Sequence, residues 1–187
     1  MDIKKIFEFK NILFLLLLSI VLNTIVLLLV LRIDSFVHVD LYKYGLVFSN
    51  EWAKNYWFFK DLILTFLSGS IIIGVLSIIP HYDHDKQPTN FSKWTGMLLP
   101  LAGIVYETFS IIFIMQTDQI IQNDLYQFGL ISNFNWGAEY WNINLAALTL
   151  MIIVIVLFII PLMGTVMNQQ NKKTKKNNKK KTVKKMK

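Results

Sequence analysis

The chain contains no cysteine, which excludes disulfide-stapled scaffolds, thiolate zinc sites and cysteine nucleophiles. It has three histidines, His38, His81 and His84. None lies in a long apolar run, so a helix-ligated membrane haem is not expected. Chain breakers are few, 8 Gly and 4 Pro among 187 residues. Charge is scarce too, 17% of residues against roughly 25% in an ordinary soluble domain. Apolar residues make up 54% of the chain, more than a soluble core of this size needs.

That apolar excess is gathered into four runs, each near the ~20 residues a helix needs to cross a bilayer. They predict spans over 12–33, 61–80, 95–116 and 145–167, the third interrupted by a single carboxylate, Glu107. Lipid offers backbone groups no partner, so helix is the form such runs take. A soluble bundle would show polar faces at a period near 3.6, and these runs show none. Lys4, Lys5 and Lys10 ahead of the first run resemble a secretory leader. A leader, however, has only about 7–15 apolar residues before a small-residue cleavage site, and this run is read as a retained helix.

Basic residues set the expected orientation. With the N-terminus inside, fifteen lysines fall on the inner side: Lys4, Lys5, Lys10, Lys86, Lys93 and ten in the tail. The outer side then holds four, Arg32, Lys43, Lys54 and Lys60. Both termini are expected in the cytoplasm, and the membrane is expected to be the plasma membrane. The net charge of +7 belongs to the tail, because without its ten lysines the remainder stands at −3.

The chain also repeats itself. Asp40-Leu-Tyr-Lys-Tyr-Gly-Leu46 recurs as Asp124-Leu-Tyr-Gln-Phe-Gly-Leu130, and Trp52, Tyr56 and Trp57 fall on Trp136, Tyr140 and Trp141. One offset of 84 residues relates them all, with 8 of the 18 positions from 40 to 57 identical. The same offset sets Asp34 on Asp118 and Asn23-Thr24 on Glu107-Thr108. The unit is helix, outer loop, helix. Both copies start and end inside, so they are parallel repeats, expected to be related by an axis along the membrane normal.

The expected organisation is an all-α, pseudo-twofold four-helix membrane bundle. An inner segment, 1–11, precedes repeat 1 over 12–80, whose outer loop is 34–60. An inner linker, 81–94, leads to repeat 2 over 95–167, whose outer loop is 117–144. A Lys-rich tail, 168–187, is read as disordered from its composition.

Each outer loop is long enough to fold. The first helix is expected to continue above the lipid to Gly45, with a second helix capped by Ser49 or Asn50 and running through Trp52 and Tyr56. Gly129 and Asn133 or Asn135 allow the same in the second copy. Tyr42, Tyr56, Trp57, Tyr126, Tyr140 and Trp141 suit the headgroup belt. Repetition of Asp40, Gly45 and Trp52 as Asp124, Gly129 and Trp136 points further, to an aromatic cap able to dock a partner. In outline this is similar to tetraspan families such as claudins and tetraspanins. Their outer loops depend on paired cysteines, so nothing of their function carries over.

Among polar candidates, Glu107 stands out as an ionisable group inside a span, with Asn23, Thr24 and Thr108 as its expected polar neighbours. It suits either a proton relay or a hydrogen-bonded joint between helices. Asp34 and His38, four apart on a helix, and the cluster His81, Asp83 and His84 are weak metal candidates, the former with Asp40, Asp118 and Asp124 for an outer-face enzyme. Both read more simply as solvated structure, and no cofactor is expected. Lys172, Lys173, Lys175, Lys176, Lys179, Lys180 and Lys181 suit anionic lipid headgroups, at about 1 kcal/mol each near the surface. Nucleic acid is a poor fit, as no aromatic interleaves with them. Together these features favour a non-catalytic subunit of a membrane assembly, with a small proton-coupled transporter as the alternative and a metal-dependent enzyme or oxidoreductase accessory subunit behind it.

Overall fold

A computed structural model describes residues 9–43, 50–82, 90–127 and 134–185, all of them helical. The helices are α1 (Phe9–Lys43), α2 (Asn50–Tyr82), α3 (Asn90–Gln127) and α4 (Phe134–Lys185). Each contains a stretch long and apolar enough to cross a membrane: 11–35, 54–79, 94–122 and 139–166. The shortest of these, 25 residues, spans about 37 Å at 1.5 Å per residue, more than the ~30 Å of a hydrocarbon core. Large apolar side chains cover the outside. Phe14, Leu28, Ile72 and Leu145 are 59–66% exposed, a surface suited to lipid and not to water. The chain thus fits a multi-pass membrane protein.

The helices extend beyond the predicted spans at the end carrying Lys43, Asn50, Gln127 and Phe134, here termed the upper end. Much of the segments read as outer loops is helix: α1 runs on to Lys43, α2 begins at Asn50 and α4 at Phe134. Asp34 and Tyr56 therefore stand on rigid helix. At the other end α4 continues to Lys185, through the segment that composition reads as disordered. That stretch has no Gly or Pro, and lysine propagates a helix already nucleated by the span.

The helices pack in a ring of antiparallel neighbours, α1 beside α2 and α4, and α3 beside α2 and α4, with α2–α3 the most extensive contact. Buried positions of α1 are Ile12, Leu16, Ser19, Asn23, Val26, Val30, Ile33 and Val37. Their spacing alternates between four and three, the 3.5-residue seam of left-handed helix packing. Adding 84 places all eight on buried positions of α3, from Gly96 to Ile121. The six buried positions of α2 from Tyr56 to Ser77 fall likewise on buried positions of α4, from Tyr140 to Pro161.

The seam stacks in layers of one residue per helix. Val30, Ile63, Ile114 and Ala147 form one, and Val26, Leu67 and Met151 join the next. Toward the lower end, large and small residues complement each other. A Cβ on Gly103 would lie 2.8 Å from the Phe158 ring, and one on Gly74 would lie 2.9 Å from Ile20. Between α2 and α3, Gly69 admits the Tyr106 ring, which a Cβ would overlap. Phe66 packs there on Tyr106 and Phe109, with ring centroids 5.1 and 5.3 Å away.

Two prolines sit inside the lower seam, Pro100 in α3 and Pro161 in α4. Lacking N–H, Pro100 leaves the Gly96 carbonyl without its helical donor. Thr165 of α4 supplies a replacement: its hydroxyl, shared with the Pro161 carbonyl at 3.0 Å, lies 3.3 Å from the Gly96 oxygen. A neighbouring hydroxyl of this kind is what makes proline tolerable at membrane depth.

Candidate functional site

Apart from Asn144 near the upper end, the polar residues on the seam are of two kinds. Ser77, Ser110 and Thr117 donate to the carbonyl four residues back, at 2.7–3.0 Å, and Ser19 to the Leu16 carbonyl at 2.7 Å. These hydroxyls are satisfied within their own helices. The middle layer differs. Asn23 of α1, Ser70 of α2, Glu107 of α3 and Val154 of α4 are all fully buried. Asn23 Nδ2 donates to Ser70 Oγ at 2.9 Å, across two helices. Asn23 Oδ1 and both carboxyl oxygens of Glu107 have no hydrogen-bond partner among the described residues. An ionised carboxyl in that position would cost several kcal/mol.

The structure brings Asn23 and Glu107 into one layer but not their neighbours. Thr24 and Thr108 point outward, each donating to the carbonyl four residues back in its own helix, Ile20 at 2.9 Å and Ile104 at 2.8 Å. They cannot serve Glu107, because adjacent residues on a helix face about 100° apart. Ser70 takes their place. Residue type alone does not single out Ser70 in the sequence; its spacing on the 3.5-residue seam is the signal that separates it.

At the upper end each half carries the same bond. Tyr56 of α2 donates its hydroxyl to Asp34 Oδ1 of α1 at 2.8 Å. Tyr140 of α4 donates to Asp118 Oδ1 of α3. Both members of the pair shift by 84 residues. The aromatic-belt reading of these tyrosines misses this; the signal the sequence holds is that aspartate and tyrosine are both kept under the 84-residue shift. The second carboxylate oxygen is held differently in the two halves. The Lys60 ammonium lies 3.5 Å from Asp34 Oδ2 and 3.7 Å over the Trp57 ring, whereas Gln122 donates to Asp118 Oδ2 at 2.6 Å. Both oxygens of each aspartate are thus engaged, one pair of them by a cation, which leaves Asp34 a poor metal ligand. Among the described residues no group of three or more His, Cys, Asp or Glu is placed to hold a metal.

Between the two tyrosines lies a small cavity of about 20 Å³, lined by Tyr56, Lys60, Thr117, Tyr140 and Asn144 with Val30, Ile33, Ile63 and Ile114. It has room for about one water. Arg32 and Glu139, 3.6 Å apart on the surface, link α1 to α4, a contact contributing under about 1 kcal/mol.

The remaining sequence candidates are placed by backbone or not at all. Asp40, Tyr42 and His38 lie in α1, Trp52 and His81 in α2, Asp124 and Tyr126 in α3, and Trp136 with Lys172, Lys173, Lys175, Lys176, Lys179, Lys180 and Lys181 in α4. Gly45, Asp83, His84 and Gly129 lie outside the described residues. Trp57 is half-buried and Trp141 exposed, each edge-on to the tyrosine before it. Compared with known proteins, the chain matches no family model, no curated protein and no solved structure.

Proposed function

We propose that this chain is a non-catalytic multi-pass membrane protein that serves as a subunit of a larger membrane complex, docking through the aromatic upper faces of two equivalent repeats. The observation that carries this reading is the repeated Tyr–Asp bond. It fixes the helical extension of each half to its neighbour in the same way, on either side of a common seam. Two copies of one platform then carry Trp52-Tyr56-Trp57 and Trp136-Tyr140-Trp141 at matching helix positions. Trp and Tyr are the side chains that most often anchor interfaces. Coincidence of the buried positions under the 84-residue shift favours a pseudo-twofold axis along the membrane normal.

In this reading the upper end faces outward and both termini lie in the cytoplasm, as the lysine distribution favours. The tail lysines rest against anionic headgroups of the inner leaflet of the plasma membrane. The partner is another membrane protein or a second copy of this chain. Trp52→Ala or Trp136→Ala should release a co-purifying partner while the bundle stays folded, and Glu107→Gln should not. Retention of the partner by both tryptophan variants would refute docking at this face.

A second reading, proton-coupled transport through Glu107, is favoured by one observation, the two unpartnered carboxyl oxygens at mid-bundle. It requires Glu107→Gln to abolish flux in proteoliposomes and the tryptophan variants to leave it intact.

A further inference from the structure

The middle layer holds more hydrogen-bond capacity than it uses. Asn23 Nδ2 donates to Ser70 Oγ. The Ser70 hydroxyl hydrogen and the second Nδ2 hydrogen of Asn23 remain to be given away, and Asn23 Oδ1, Glu107 Oε1 and Glu107 Oε2 remain to be satisfied. Ser70 and Asn23 are the polar side chains that bear on the Glu107 carboxyl. Counting donors and acceptors leaves the layer short by one hydrogen. If that hydrogen is on Glu107, each group finds a partner: Glu107 O–H to Asn23 Oδ1, Asn23 N–H to Ser70 Oγ, and Ser70 O–H to the other Glu107 oxygen.

We propose that Glu107 holds a proton at mid-bundle and that this proton closes a three-membered hydrogen-bond ring joining α1, α2 and α3. The layer is a proton-binding site whose occupant locks three helices together. Two Glu107 bonds of the ring are open in the structure.

The surroundings select a proton over a counter-ion. α1 presents Asn23, α2 presents Ser70 and α4 presents Val154 to this layer. The flanking layers, Ser19 to Phe158 below and Val26 to Met151 above, contribute only Ser, Gly and apolar side chains. The titratable group next in sequence, Tyr106, turns its ring onto Gly69. Among the described residues no lysine, arginine, histidine or second acid faces Glu107, so an ionised carboxylate would have no charge there to offset it. Ring closure also explains why one acid, one amide and one serine share a single layer at mid-bundle. Polar residues between membrane helices serve best when every member is paired.

The inference is independent of docking at the upper face, and its test reads a different signal. Infrared difference spectra of the purified wild-type protein and Glu107→Gln, in detergent, should show a protonated carboxyl C=O band in the wild type that persists at neutral and mildly alkaline pH. Asn23→Val, which removes the acceptor, should shift that band. Glu107→Gln keeps one donor and one acceptor in the same positions and should leave the thermal midpoint unchanged, whereas Glu107→Ala should lower it. A carboxylate band at neutral pH would overturn the proposal. So would a stabilisation by sodium over potassium that Glu107→Gln abolishes, which would mark a cation site instead. Equal loss of stability in Glu107→Gln and Glu107→Ala would overturn it too.

Discussion

Tyr56→Phe removes one hydroxyl and leaves the ring that fills the upper seam. Tyr56 is only 2% exposed, and the hydroxyl that is removed makes a 2.8 Å bond to Asp34. Hydrogen bonds to charged groups contribute about 1.5–3 kcal/mol net. Asp34 is partly open to solvent and keeps Lys60 on its other oxygen, which places the expected loss near 1–2 kcal/mol. For a chain of this length that corresponds to a drop of about 2–8 °C in thermal midpoint. The assay is thermal unfolding in detergent, scanned at one rate for every variant because membrane-protein unfolding is often irreversible. Tyr140→Phe should give a loss of similar size. Thr65→Val provides the control, since it deletes a hydroxyl that only bonds the Asp61 carbonyl of its own helix. The double variant with Asp34→Asn should lose less than the sum of the two singles. A midpoint within about 1 °C of wild type for both tyrosine variants would refute the argument, because ~1 kcal/mol is worth at least 2 °C here.

Further outcomes follow from the lower seam. Gly103→Ala should destabilise by about 1–3 kcal/mol through overpacking against Phe158, and Phe158→Leu in the same chain should recover part of that; no recovery would separate Gly103 from Phe158. Thr165→Val should cost about 0.6–1.7 kcal/mol, the measured range for hydrogen bonds between membrane helices. In a Pro100→Ala background, where residue 100 supplies its own N–H to the Gly96 carbonyl, the same substitution should cost markedly less; equal cost in both backgrounds would remove the proposed rescue of proline.

Much of this architecture is legible in the sequence, and what is not has a physical cause. The four spans are visible because lipid demands long apolar helix, and the helix that continues above the first span to Lys43 and is present again from Asn50 agrees with the expected extensions. The seam is hidden by the solvent itself. In water a buried face contrasts with a polar one, but Leu28 facing lipid and Val26 facing the core are chemically alike. The contrast survives only in residues lipid tolerates poorly, and Asn23, Ser70, Ser77, Glu107, Ser110 and Asn144 all lie on the seam. Threonines mislead, because Thr24 and Thr108 satisfy themselves against their own helix and face outward. The Tyr–Asp bonds are masked for another reason: a tyrosine near a span end is already explained by the headgroup belt, so Asp34 twenty-two residues earlier goes unread as its partner.

Equivalence of the two halves is the central claim, and a chain without cysteine allows a direct test. Cysteines at 30 and 63 should form an oxidative cross-link in native membranes, since Val30 and Ile63 share a layer. The pair shifted by 84, at 114 and 147, should cross-link at a comparable rate, while 30 with 67, one layer out of register, should lag behind both. Cross-linking at 30–63 together with none at 114–147 would contradict the account.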